Sequence, residues 1–152
     1  MYEKILVPLD SSELAECALP EIKKLIAEGF PREIILLSVV SVPTLTVGEG
    51  VDYPALRNSR FEKFREYLEG VRKRIAAEGI TVKTEIHEGD PAHAINQYVK
   101  NNAVDLIVIA THGYSGMKRL MFGSVALRVL HDAQVPVLLI RPEAGREPHS
   151  AP

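Results

Sequence analysis

Three stretches of this chain are apolar almost without interruption: Ile34 to Val40, Val104 to Ile109 and Val135 to Ile140. Each is too short for a stable helix and rich in β-branched residues. A strand that is apolar on both faces must be covered on both faces, which is the mark of a parallel sheet sandwiched between helices. Lys4 to Leu9 reads as a further buried strand, with Pro8 at its end, where a missing N–H costs least. The second strand is expected over Glu33 to Val42. Thr81 to His87 differs: Val82, Thr84 and Ile86 alternate with charged residues, the pattern of a half-exposed strand at a sheet edge.

Helical patterns fill the spaces between these runs. After the first strand, Asp10 or Ser11 can cap a helix that carries Leu14, Ala18, Leu19, Ile22, Leu25 and Ile26 on one side, with Glu13 in capping-box spacing from Asp10. Pro20 must kink this helix or divide it, and Gly29 can stop it. Phe61, Phe64, Leu68, Val71 and Ile75 advance by threes and fours, which puts them on one stripe of a helix expected over Pro54 to Gly79. Asp90-Pro91 is a cap followed by proline at the first helical position. Ile95, Tyr98 and Val99 mark the buried side of that helix, and Asn101-Asn102 closes it. A last helix is expected over Ser124 to Asp132, with Ser124 as a good cap. The order is βαβαβαβαβ, without internal repeat or linker, and specifies an open parallel sheet in a single α/β domain.

The totals agree. The 152 residues suffice for one domain that buries roughly 68–70% of its unfolded surface. A formal net charge of -2 argues against a general nucleic-acid binder, which carries a basic excess. Cys17 is the only cysteine, so no internal disulfide or thiolate cluster can form, and it reads as a small core residue. His87, His93, His131 and His149 lack metal-ligand spacing. No apolar run approaches the roughly 20 residues of a membrane span, and no signal peptide is read at the start. A cytoplasmic protein is expected. The segment Ser41 to Tyr53 is a long loop, able to fold over a ligand or idle. Residues 142–152 form a tail expected to be disordered.

The chemistry concentrates at Ile107 to Val125. An apolar strand runs into a loop with Gly113, Gly116 and Gly123, and a helix starts at Ser124. Such a junction aims backbone N–H groups and the positive end of a helix dipole at one spot, and phosphate is the natural guest. Glycine permits close backbone approach there. In open α/β sheets the ligand crevice lies beyond the carboxyl ends of the strands, where strand order reverses. Two strand ends carry suggestive residues: Pro8-Leu9-Asp10, and Ile109-Ala110 followed by Thr111-His112-Gly113. If those strands are neighbours, a carboxylate and a phosphate cradle share one cleft. Lys118 and Arg119 could neutralise phosphate or simply be solvated. His112 fits a positioning hydrogen bond better than a general base.

The sequence resembles the universal stress proteins. The resemblance is carried by Ile5-Leu-Val-Pro-Leu-Asp10, Ile34-Ile-Leu-Leu-Ser-Val-Val40, Gly89-Asp-Pro91, Thr111-His-Gly113, Gly123-Ser124 and Val135-Pro-Val-Leu-Leu-Ile-Arg141, in the family's order, over residues 1–141. It implies a Rossmann-like, five-stranded sheet of order 3-2-1-4-5 with the last strand at the edge. It implies ATP or a related adenine nucleotide as ligand, with Mg or Mn on the phosphates. Asp10 and the backbone near Val39 would meet the base or ribose; Gly113, Gly123, Ser124 and Val125 would hold the phosphates; Pro8, Leu9, Ile109, Ala110 and His112 complete the site. Family members dimerise through the last strand, so a homodimer through Val135 to Ile140 is implied. ATP-binding members carry a glycine, two residues, a second glycine, nine residues, then Gly-Ser or Gly-Thr. Here Gly113, nine residues and Gly123-Ser124 match, whereas Ala110 stands at the first glycine. One extra methyl predicts a weakened or slightly shifted fit.

Three activities remain in view. A nucleotide-binding regulator of stress signalling follows from the glycine spacing and Asp10. A nucleotide-independent interaction module follows from Ala110. A hydrolase is the least supported, because the chain lacks a G-x-x-x-x-G-K-[ST] loop and shows no base–nucleophile pair; at most slow turnover is expected.

Overall fold

The computed structural model describes residues 1–41, 50, 52–111 and 123–142. His112, Gly113, Gly116, Lys118 and Arg119, almost all of the loop between Ser41 and Tyr53, and the tail from residue 143 onward lie outside the described residues.

The elements are β1 (Lys4–Pro8), α1 (Leu19–Ala27), β2 (Glu33–Val40), α2 (Tyr53–Ile75), β3 (Thr81–Glu88), α3 (Pro91–Asn101), β4 (Leu106–Ala110), α4 (Ser124–Asp132) and β5 (Val137–Ile140), with a 3-10 turn at Ala15–Ala18. The strands form one sheet of order β3-β2-β1-β4-β5, parallel at every pairing. The expected topology is therefore observed. β1 is central: Ile5 stands opposite Ile34 on one side and Leu106 on the other. Ile5, Leu6 and Val7 are wholly buried, as an all-apolar central strand requires.

Strand alternation splits the core into two layers. Ile5, Val7, Ile34, Leu36, Leu106 and Val108 pack with Leu19 and Ile22 of α1 and Leu68, Val71 and Ile75 of α2. Leu6, Ile35, Leu37, Ile107 and Ile109 face Ile95 and Val99 of α3 and Ala126 and Val129 of α4. Asp105, the one charge in the run from Val104 to Ile109, lies just before β4. Its Oδ2 accepts the backbone N–H groups of Glu3 and Lys4, at 3.0 and 2.8 Å, and so caps the start of β1.

Helix ends follow local chemistry. Gly29 has a left-handed φ of 89°; its N–H bonds the Ile26 carbonyl and that of Phe30 bonds Leu25, closing α1 in a Schellman turn. Asp90 caps α3 by accepting the His93 N–H at 3.0 Å. Pro20 divides the first helical pattern as anticipated: the 3-10 turn precedes it, and proline takes an early α1 position where its absent N–H is not needed.

Several expectations are corrected. Neither Asp10 nor Ser11 caps the first helical turn; Ser12 does, its Oγ accepting the Ala15 N–H at 3.1 Å. Ser11 has a φ of 68°, which turns the chain so that Ser12 takes the capping place. α2 stops at Ile75, not Gly79, because Ala76 is extended. Phe61 and Phe64 on its stripe are only half-buried, since the first turns of α2 run past the core cluster that holds Leu68, Val71 and Ile75. The helix start at Ser124 holds, but Gly123 occupies the cap position and Ser124 the first helical one. Cys17 is half-buried rather than core. β2 ends at Val40 and β5 starts at Val137, each two residues inside its expected limit.

Candidate functional site

The reversal of strand order falls between β1 and β4. Beyond their carboxyl ends opens a cleft of about 220 Å³. Pro8, Leu9 and Asp10 come to it from β1, Leu37, Val39 and Ser41 from β2, Ile109 and Ala110 from β4, Pro91 and Ile95 from α3, Val125 and Ala126 from α4, and Leu14 and Ala15 from the turn after β1. Pro8, Leu9, Asp10, Val39, Ile109, Ala110 and Val125 of the expected set thus meet in one place. Gly123 and Ser124 adjoin Val125 at the tip of α4. His112 and Gly113 fall outside the described residues.

The β1 lip is held firmly. The Leu9 N–H bonds the Leu37 carbonyl at 2.9 Å. The Leu9 carbonyl accepts the buried Ser38 hydroxyl at 2.7 Å. With both backbone groups of Leu9 fixed, the exposed Asp10 is delivered at a set point. Its Oδ1 accepts from the Ser12 N–H at 3.0 Å and from the Ser12 hydroxyl, an Asx turn that holds the carboxylate's orientation. Behind this lip, burial first, then the charges of Glu16 and Asp10, push the Tyr67 hydroxyl up to about 12.

The opposite lip is the start of α4. Gly123 has extended backbone, φ -60° and ψ 149°, and its carbonyl accepts the Leu127 N–H at 3.0 Å. Glycine has no side chain to cap the helix, and among the described residues no side chain does. The first amides of α4 therefore keep their partial positive charge toward whatever lies at the tip. Between the lips the floor is apolar. Ala110 is buried at the end of β4. The next residue, Thr111, is also buried; its N–H bonds the Ile140 carbonyl, and its hydroxyl has no partner among the described residues.

Leu14, Ala15, Leu37, Ser41, Pro91, Ile95 and Ala126 were not anticipated as lining. The signal for Pro91 was present in Asp90-Pro91, because the first turn of a helix following an edge strand also lies at the carboxyl side of the sheet. Leu37 and Ile95 look like ordinary core residues, and only the register reveals that they form a floor. Three fixed pairs lie at this end of the sheet. Arg60 Nη1 donates to the Ser41 carbonyl at 2.5 Å, and Arg57 pairs with Glu88 while lying 4.5 Å from the Phe61 ring centroid. Arg128 holds Asp90 through two bonds of 2.8 and 2.7 Å; these, then the His93 N–H, keep the Asp90 carboxyl below the usual carboxylate range.

Among the described residues no group of three or more His, Cys, Asp or Glu side chains could hold a metal ion. Nor is any helix among them long and apolar enough to cross a membrane.

Comparison with known proteins agrees with this architecture. The model of the universal stress protein family matches residues 1–141. The universal stress protein MJ0531 of Methanocaldococcus jannaschii is 34% identical over 143 residues, covering 93% of this chain and 83% of the relative. The solved structure of MJ0577, from the same organism, superposes with a TM-score of 0.82 at 32% identity, covering 95% of this chain and 99% of the other. Two more distant structures share the fold: a universal stress protein in complex with cAMP, at 19% identity and TM-score 0.69, and one from Arabidopsis thaliana with AMP bound, at 22% and 0.68.

Proposed function

The chain belongs to the universal stress protein family, and from that membership we propose that its switch-point cleft binds ATP or a related adenine nucleotide and that the protein acts as a cytoplasmic regulator in stress signalling. The carrying observation is the pairing of two lips across one apolar cleft: Asp10 on the β1 side and the glycine-started tip of α4 on the other. The apolar floor suits a purine face. Asp10 can accept from ribose hydroxyls, as an acidic residue does in other doubly wound sheets. The tip of α4 suits phosphate, each such contact contributing about 0.3–1 kcal/mol. Relatives of the same fold carry AMP and cAMP, which supports adenine over other bases. A divalent ion, Mg or Mn, would be held mainly by the phosphates, in the manner of sites that use one or two carboxylates plus substrate oxygens.

Hydrolysis is at most slow in this reading, because the chain lacks a G-x-x-x-x-G-K-[ST] phosphate loop. Nucleotide occupancy would instead alter a surface. The half-exposed edge strand β5 is the proposed contact in a homodimer.

The deciding experiment is to purify the protein, denature it, and analyse the released small molecules, then titrate the stripped protein with ATP, ADP and AMP. A stoichiometric adenine compound, or saturable binding, is the expected result. No release and no binding would overturn the reading. Ala110 favours a second one, a nucleotide-independent interaction module. An Ala110→Gly variant that binds nucleotide well over a non-binding parent would support it.

A further inference from the structure

Asp90 is the cap of α3, and the residue after it, Pro91, lines the cleft. Arg128 lies in the second turn of α4, whose first turn supplies Val125 and Ala126 to the same cleft. Helix side chains lean toward the N-terminus, so the guanidinium reaches back to the α3 cap. There it makes two parallel bonds, Nη1 to Oδ1 at 2.8 Å and Nη2 to Oδ2 at 2.7 Å. Fork-to-fork geometry is the strongest and most directional form of the ion pair. It joins residues 38 apart in sequence and ties together the beginnings of two helices that wall the cleft.

A carboxylate at this place is a liability for an anion site. It stands one residue before the cleft-lining Pro91 and is bound to α4, the helix whose start would receive phosphate. Its bonds to Arg128, then the His93 N–H, favour the ionised form. Arg128, from the second turn of α4, meets that charge with its two bonds. Resting on the nucleotide reading, we infer that Arg128 is a positioning residue for the phosphate tail: it cancels the field of Asp90. The ligand then feels the α4 amides without opposition from the α3 cap.

This role makes a demand that plain structural support does not: the effect must grow with the number of phosphates. Arg128→Gln exposes the Asp90 charge and is expected to weaken ATP about tenfold, ADP less, and adenosine hardly at all. Asp90→Asn keeps a good cap residue and removes the charge. Alone it should hold or tighten ATP binding, and added to Arg128→Gln it should restore most of the loss. Calorimetric titration of the four proteins with ATP, ADP, AMP and adenosine, with melting curves to establish folding, tests this. Equal losses for adenosine and ATP in Arg128→Gln would overturn the inference alone. So would an Asp90→Asn protein that loses ATP affinity as Arg128→Gln does. A wild-type protein that binds none of the four overturns the nucleotide reading and this inference with it.

Discussion

The Ser38 hydroxyl donates a 2.7 Å hydrogen bond to the carbonyl of Leu9, 29 residues earlier in the chain. Ser38 is the one polar residue inside the apolar β2 run and is fully buried. Its bond fixes the turn that presents Asp10 to the cleft. Ser38→Ala leaves the Leu9 carbonyl buried with one partner fewer, at a cost of about 1–3 kcal/mol. The same change should weaken nucleotide binding, because Asp10 loses its anchor. Urea unfolding and a nucleotide titration on the one variant check both halves. Unchanged stability would mean that the hydroxyl does not hold the turn.

Ala110 closes β4 at the floor of the cleft with 9% of its surface exposed. Ala110→Leu adds three carbons to that floor. Overpacking of this kind costs typically 1–3 kcal/mol, so the fold should survive while the cleft is filled. Adenine-nucleotide binding is expected to vanish with the circular dichroism spectrum intact. Wild-type affinity in this variant would place the ligand elsewhere.

The sheet and the place of the site could be read from the sequence because they rest on local patterns. Continuous apolar runs, Asp90-Pro91 and Gly29 each carry their own physics, and the alternation of strands and helices leaves few topologies. The cleft needed only the neighbourhood of β1 and β4. What could not be read depends on register between distant segments. Ser38 looks like a blemish in a strand until β2 is set beside the turn after β1. Arg128 reads as a solvated helix residue until α3 and α4 are placed side by side. The misassigned caps have a different cause. Asp10, Ser11 and Ser12 are all competent cap residues, and the left-handed turn at Ser11, which decides between them, leaves no mark in the sequence.

Tyr67 offers a test of the region behind the β1 lip. Its hydroxyl is buried without a partner among the described residues, and burial with nearby Glu16 and Asp10 pushes it up to about 12. Tyr67→Phe removes a group that water would satisfy better, so stability should hold or rise instead of showing the loss of about 1 kcal/mol common for substitutions. The pH dependence has a definite sign. A folded-state value above the unfolded one, near 10, leaves stability whole below that pH and removes it as pH rises toward the folded value. The advantage of Tyr67→Phe should therefore widen between about pH 8 and about pH 11. Paired urea curves at the two pH values would reveal it, and a constant gap would contradict the assignment.

Asp90 gives the opposite sign at the acid end. Arg128, then the His93 N–H, hold its carboxyl below the usual range. A depressed folded-state value contributes stability above the unfolded value of roughly 3.9, and that contribution is lost as pH falls through the folded one. The melting temperature of wild type should exceed that of Asp90→Asn at neutral pH, with the difference closing below about pH 4. A difference that persists in acid would trace to the cap hydrogen bond instead of the charge.

The edge strand β5 can be tested without disturbing β4. The carbonyls of Pro136 and Ile140 accept from Ile107 and Thr111, so by strand alternation the backbone groups of Val137 and Leu139 point away from the sheet. An outward N–H is the one place where proline fits an edge strand. Val137→Pro should keep the β4–β5 ladder, since only an unpaired donor is removed and the side chain stays small and apolar. If β5 forms the proposed homodimer contact, light scattering at micromolar concentration should give a dimer for wild type and a monomer for Val137→Pro, with near-identical circular dichroism. A wild-type monomer would rule out the β5 dimer, and a dimer in both would move the contact to another face, with the exposed Leu127 and Leu130 of α4 as the next surface to substitute.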